Sequence, residues 1–185
     1  MPFLVANRRT SAATLRKRHG AALQLDLTSR GPDPWMRFSP FYPHGGIPVP
    51  FSPGVVAASV EGIWQGLKVF EKADVDPARL AITTMHGLKR SSRTYGKVRG
   101  HRAGLTGTAL LPYAEARQAI YLPAYRWVLE HRLADLVAQL RTLGATETVL
   151  LLDYETNCDP TDLSSPLSHA GLVKHYLDGT WPGDR

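Results

Sequence analysis

Cysteine is almost missing from this chain: Cys158 stands alone. One cysteine excludes an internal disulfide framework and fits a reducing compartment, so a cytoplasmic location is expected. No apolar run comes near the ~20 residues needed to span a bilayer, which excludes a membrane helix of that kind. The opening Phe3-Leu4-Val5-Ala6 is too short for the core of a signal peptide, and Arg8 and Arg9 follow it rather than precede it. Compact metal-ligand spacing is lacking as well. No histidine pair stands in an H-x-x-x-H arrangement, so neither a metal nor a cofactor is expected. Cys158 and His169 belong to no recognisable nucleophile motif. Internal repeats and low-complexity tracts are absent, and Thr142–Pro166 contains acids but neither lysine nor arginine.

What is present describes an ordinary globular chain. Its 185 residues suffice for one domain with its own core, and no shift in composition divides it. The formal net charge of +6 favours an anionic partner, and nucleic acid is one such class. Positive residues cluster at Arg8–Arg18 and again at Lys89–Arg102. Set against the acidic late segment, they read either as a phosphate-binding side opposite a carboxylate side or as plain surface.

Periodicity predicts a short strand, a basic helix over Ser11–His19 and a strand over Ala22–Thr28. A passage with five prolines and three glycines, Trp35–Gly54, forbids a helix or a central strand, yet it is rich in aromatics. Phe41 and Tyr42 within it either stack on a planar ligand or simply pack. Ser59 then caps a helix in which Val60, Ile63, Trp64 and Leu67 repeat on one face, and which is expected to end near Lys72. Beside that face run Glu61, Gln65 and Lys68, a polar stripe that is either the wall of a cleft or a solvated ladder. Gly62 and Gly66 each cost about 1 kcal/mol in a helix, which points to close approach by a backbone or a ligand.

Asp76 and Pro77 suggest another helix start, running through Leu80, Ile82 and Met85. Ala114–Leu143 is the strongest helical passage, with a break expected near Leu122 because of Pro123. Thr148–Tyr154 reads as a buried strand delivering Asp153, Glu155 and Asp159 at its end, for catalysis or for capping. A last helix is expected over Ser168–Leu177.

This order of motifs resembles the NADAR family. The resemblance rests on Phe41-Tyr42-Pro43, then Ser59-Val60-Glu61 and Gln65-Gly66-Leu67-Lys68, a basic glycine-containing segment, a long helix and a strand ending in acids. It runs from about Ser39 to Leu177. The family includes N-glycosidases of phosphoribosylated pyrimidine intermediates and hydrolases that remove ADP-ribose from guanine. It implies a single compact, α-rich α+β domain with a small sheet over 39–185; residues 1–38, read from periodicity as strand-helix-strand, fall outside the resemblance and are expected as an extension packed on that domain. It further implies an N-glycosidase-type hydrolase of a phosphorylated ribosyl or ADP-ribosyl substrate. Glu61, Lys68 and Asp159 would be catalytic, with Glu61 and Lys68 on one helix. Phe41, Tyr42, Trp64, Gln65, Lys89, Arg90, His101 and Asp153 would contact substrate. Under this reading the helix dipole holds Glu61 as an anion, and Lys68 either grips a phosphate or attacks an opened ribose as an imine-forming nucleophile. Gly62 and His101 depart from the family pattern, where histidine and tryptophan are common. A non-catalytic module binding a nucleotide or nucleic acid is the alternative.

Overall fold

The computed structural model describes residues 2–184. It is a mixed α+β protein, the class read from the sequence, and its contacts group the chain into two units. One comprises residues 1–39 with 133–185, the other Pro40–Arg132.

The first unit is built on a parallel sheet. Strands β1 (Phe3–Asn7) and β2 (Leu23–Asp26) flank a central strand, Val149–Asp153, and pair with it from Val149 onward. Segment 1–38, expected as an extension, thus supplies both neighbours of the late strand. Every residue of Val149–Asp153 is buried, as a parallel strand covered on both faces requires. Helix α1 (Ala12–His19), capped by the Ser11 hydroxyl, places Leu15 against Ala6, Leu150 and Leu152 on one face of the sheet. Opposite, the helix Ala134–Thr146 brings Gly144 against the Phe3 ring, where a Cβ would stand 2.4 Å from Phe3 Cζ. The helix His169–Leu177 contacts Phe3–Asn7 and Val149–Asp153.

In the second unit, short strands β3 (Ile47–Pro48) and β4 (Val56–Ala57) form a ribbon that leads into helix α2 (Val60–Gly66). The Ser59 hydroxyl accepts from Gly62 N–H at 3.0 Å, and the helix ends as Asp76 N–H donates to the Gly66 carbonyl. The two glycines admit a backbone rather than a ligand. A Cβ on Gly62 would stand 2.8 Å from the Arg79 carbonyl oxygen, and one on Gly66 3.3 Å from that of Asp76. The neighbour is a short 3-10 turn, Pro77–Ala81, in place of the longer helix expected after Asp76.

Lys68 therefore does not continue the helix. It opens β5 (Lys68–Phe70), which pairs antiparallel with β6 (Val98–Arg102), and β6 pairs with β7 (Leu110–Leu111). Shared placement of Glu61 and Lys68 on one helix is corrected: pairing with His101 claims Lys68 for the sheet.

The break expected near Pro123 takes the form of a wider turn. After the single turn Tyr113–Ala116, residues Arg117–Tyr121 coil as a π-helix, with Leu122 N–H bonded to the Arg117 carbonyl. Helix Leu122–His131 follows, with Pro123 in its first turn. Proline has no N–H to offer the carbonyl four residues back and crowds it, and widening the turn relieves both problems. Among the described residues, no helix is long and apolar enough to cross a membrane.

Candidate functional site

Helix α2 is buried almost all round. Glu61 is 7% exposed and Gln65 4%, so the polar stripe is not a solvated ladder. Gln65 is fixed at both ends. Arg90 N–H donates to Gln65 Oε1 at 3.1 Å, which turns the amide nitrogen toward Glu61, and Nε2 donates to Glu61 Oε1 at 2.8 Å. A backbone N–H can only donate, so the amide orientation is set by chemistry. One carboxylate oxygen of Glu61 is thereby engaged.

Burial pushes the Glu61 pKa up, and the Gln65 hydrogen bond and the charges of Lys68 and Lys89 only partly oppose it. The expectation of a dipole-held low pKa is corrected: loss of water outweighs the helix terminus. Lys68 moves the opposite way. Burial lowers its pKa, Glu61 pulls it back, and Lys89 and Arg90 push it down further. The two groups' pKa values are drawn toward each other, which narrows the gap a proton must cross between them.

Lys68 Nζ lies 5.9 Å from the centre of the half-buried Trp64 ring, and Lys89 Nζ lies 5.4 Å from that of Phe41. The aromatic loop is tied to the helix directly, because Glu61 N–H donates to the Pro40 carbonyl at 2.9 Å. The His101 ring lies tilted by 31° against Trp64 with ring centres 3.7 Å apart, and Tyr113 and Tyr121 meet Trp64 edge-on at 5.7 and 5.6 Å. Phe41, Glu61, Trp64, Gln65, Lys68, Lys89 and His101 thus form one cluster inside a single unit. Arg90 is its buried strut. Its guanidinium donates to the carbonyls of Gln65, Lys68 and Asp74 and lies 4.9 Å from the Phe70 ring centre. These bonds suit holding the chain in place better than the substrate contact expected of Arg90.

Other sequence candidates are engaged elsewhere. Tyr42 packs on His44 at 4.7 Å. Asp159 is exposed and accepts from the Thr161 N–H and hydroxyl, a turn-forming role. Asp153 is buried in the first unit, where its Oδ2 accepts from the Ser168 hydroxyl at 2.8 Å and lies 2.9 Å from His169 Nδ1. His169 Nε2 lies 2.9 Å from the Leu27 carbonyl oxygen. Both partners of this ring are acceptors, so it carries both protons and is an imidazolium. Burial acts to raise the Asp153 pKa, but the His169 charge and the bonds from His169, Ser168 and Ala170 overcome it and bring it to about 2. For His169, burial acts to lower the pKa, and the Asp153 carboxylate more than reverses it. This ion pair joins strand ends to a helix start and leaves no ring nitrogen for chemistry.

Sequence reading missed Tyr113, in the single turn before the π-helix, and Tyr121, at the π-helix's end, both of which meet Trp64 edge-on. An open groove of about 610 Å³ also lies in this unit, lined by Val69, Phe70, Lys72, Arg99, Arg102 and Leu110 among others. By strand alternation, Val69, Arg102 and Leu110 point away from the face that carries Lys68 and His101. Arg102 is paired with Asp74 through two bonds there. Among the described residues, no group of three or more His, Cys, Asp or Glu side chains is placed to hold a metal ion.

None of the curated proteins matches the chain in sequence. Residues 7–173 match a family model, and the chain belongs to DUF6939, a family of unknown function.

Proposed function

We propose that the Glu61 cluster hydrolyses an N-glycosidic bond in an anionic ribosyl phosphate or ADP-ribosyl substrate. The observation that carries this reading is a buried carboxyl with a raised pKa, one oxygen held by Gln65, under the fields of Lys68 and Lys89 and near the Trp64 ring. The motif order resembling the NADAR family supports it.

The chemistry follows from the parts. Lys68 and Lys89 bind phosphate oxygens, and an arriving anion raises the Lys68 pKa so that the ammonium is fully charged when needed. Phe41 and the aromatic wall around Trp64 hold the planar base. A water oxygen bonds to C1′ of the ribose while the C1′–N pair departs with the base. Glu61 takes the water proton and delivers it to the leaving nitrogen, so the products are a free sugar hydroxyl and a neutral base. A carboxyl with a raised pKa suits both halves of that transfer.

Incubation with NAD, uridine 5′-monophosphate and adenosine 5′-monophosphate tests the reading by liquid chromatography of the released base together with a reducing-sugar assay. The expected result is equal amounts of base and free sugar from at least one substrate. Salt-sensitive binding of nucleic acid, with no base released from any of the three, would overturn it in favour of a binding module.

A further inference from the structure

The β5–β6–β7 sheet has a second face, turned away from Lys68 and His101, and the groove of about 610 Å³ lies on it. That volume falls within the range of about 300–1,000 Å³ typical of ligand clefts. Buried Val69 and Phe70 form an apolar floor together with Leu110, which is 41% exposed. The rim is cationic, and a bulge in β6 helps to make it so. Val69 pairs with Gly100 and Phe70 with Val98, so Arg99 is left without a cross-strand partner. Plain alternation from His101 would send Arg99 to the face of the Glu61 cluster, and the extra residue re-aims it into the groove.

The acids of the groove are already engaged, whereas its cations are not. Both Asp74 carboxylate oxygens accept from Arg102, and Glu71 Oε2 accepts from the Lys97 N–H at 3.0 Å. Among the described residues, the exposed side chains of Lys72, Lys97 and Arg99 have no carboxylate partner. Nor does any aspartate or glutamate occur between Asp76 and Glu115. An anion is the complement of such a rim. The groove offers no open aromatic face to a nucleic-acid base, because Phe70 is 3% exposed and packs against Tyr95 and the Arg90 guanidinium. It does border a sheet edge. Arg102 N–H turns to the Leu67 carbonyl on the β5 side, so Arg102 and Leu110 form a pair that exchanges no bonds, and Leu110 N–H and C=O point out from the edge of β7.

We propose that this groove docks an extended acidic peptide segment of a partner protein, with an apolar side chain on Leu110 and Val69 and flanking carboxylates on Lys72 and Arg99. One peptide unit pairs with the Leu110 backbone, as in strand addition at a sheet edge. The groove stands on the face opposite Lys68 and His101, so docking there does not depend on the Glu61 chemistry.

Fluorescence anisotropy with labelled probes tests this. The probes are a peptide alternating glutamate and leucine, its glutamate–serine and lysine–leucine counterparts, and single-stranded oligothymidine. The full chain should bind the glutamate–leucine peptide, more weakly as salt rises, and about tenfold more tightly than the glutamate–serine one. It should not bind the lysine–leucine peptide. Lys72→Gln with Arg99→Gln should weaken binding by about tenfold, and Leu110→Ser should remove the preference for leucine over serine. All three positions are exposed, so the melting temperature should hold. Arg16→Gln with Arg18→Gln, the same loss of charge on α1, should leave binding unchanged. Equal weakening by the two double variants overturns the inference in favour of diffuse charge attraction. Tighter binding of oligothymidine, lost on substitution of Lys72 and Arg99, overturns it in favour of nucleic acid. No binding of the glutamate–leucine peptide at millimolar concentration overturns it outright.

Discussion

Replacing Asp153 with asparagine tests the buried ion pair most severely. The substitution keeps the shape and a carbonyl oxygen but removes the charge facing His169. The carboxyl is 3% exposed, so solvent screening discounts little. Its pKa falls from 3.8 to about 2 on folding. At ~1.4 kcal/mol per pH unit, that difference is on the order of 2 kcal/mol of stability at neutral pH. The sign is definite at both ends. A depressed carboxyl pKa contributes above 3.8 and is lost as pH falls through about 2. A raised histidine pKa contributes fully below the unfolded value of 6.5 and is lost as pH rises through the folded one. The stability gap between wild type and Asp153→Asn should therefore be widest between about pH 4 and 6.5 and close on both sides. Urea unfolding from pH 2 to 9 measures it. A gap that is flat with pH, or below about 1 kcal/mol throughout, would refute the imidazolium assignment.

Two further perturbations address the framework of the Glu61 cluster. Gly62→Ala should destabilise the protein by about 1–3 kcal/mol in denaturant despite a helix-propensity gain of about 1 kcal/mol, because the new Cβ meets the Arg79 carbonyl oxygen at 2.8 Å. An unchanged unfolding midpoint would mean that the Pro77–Ala81 turn yields easily. Gln65→Leu removes the bond that opposes the rise in the Glu61 pKa, so the acid limb of the pH–rate profile should move to higher pH. A limb that stays in place would detach Glu61 from the proton transfer.

Local signals carried the legible part of the fold. The uninterrupted apolar run at Val149–Leu152, the Ser59 and Ser168 caps and the helix-breaking Pro123 each act within a few residues, and each is visible in the chain. Lys68 was misplaced because its spacing from Glu61 fits a helix, whereas its actual partner, His101, lies far along the chain and claims it for a strand. Asp153 was ambiguous for the same reason: acids at a strand end serve catalysis or capping alike. The deciding fact is a histidine sixteen residues later with both ring nitrogens engaged. The site was legible as a set of residue types, with Glu61, Gln65 and Lys68 found by pattern. The complete burial of His101 and the edge-on approach of Tyr113 and Tyr121 to Trp64 arise only from tertiary packing.

The central claim is that Glu61 moves the proton in base release. Single-turnover cleavage by wild type and by Glu61→Gln, on whichever ribosyl phosphate the wild type hydrolyses, tests it most directly. The amide still fits beside Gln65 but cannot take a proton, so cleavage should fall about 10²–10⁴-fold while ribose 5-phosphate still binds. Cleavage at the wild-type rate in a folded Glu61→Gln protein would contradict the account.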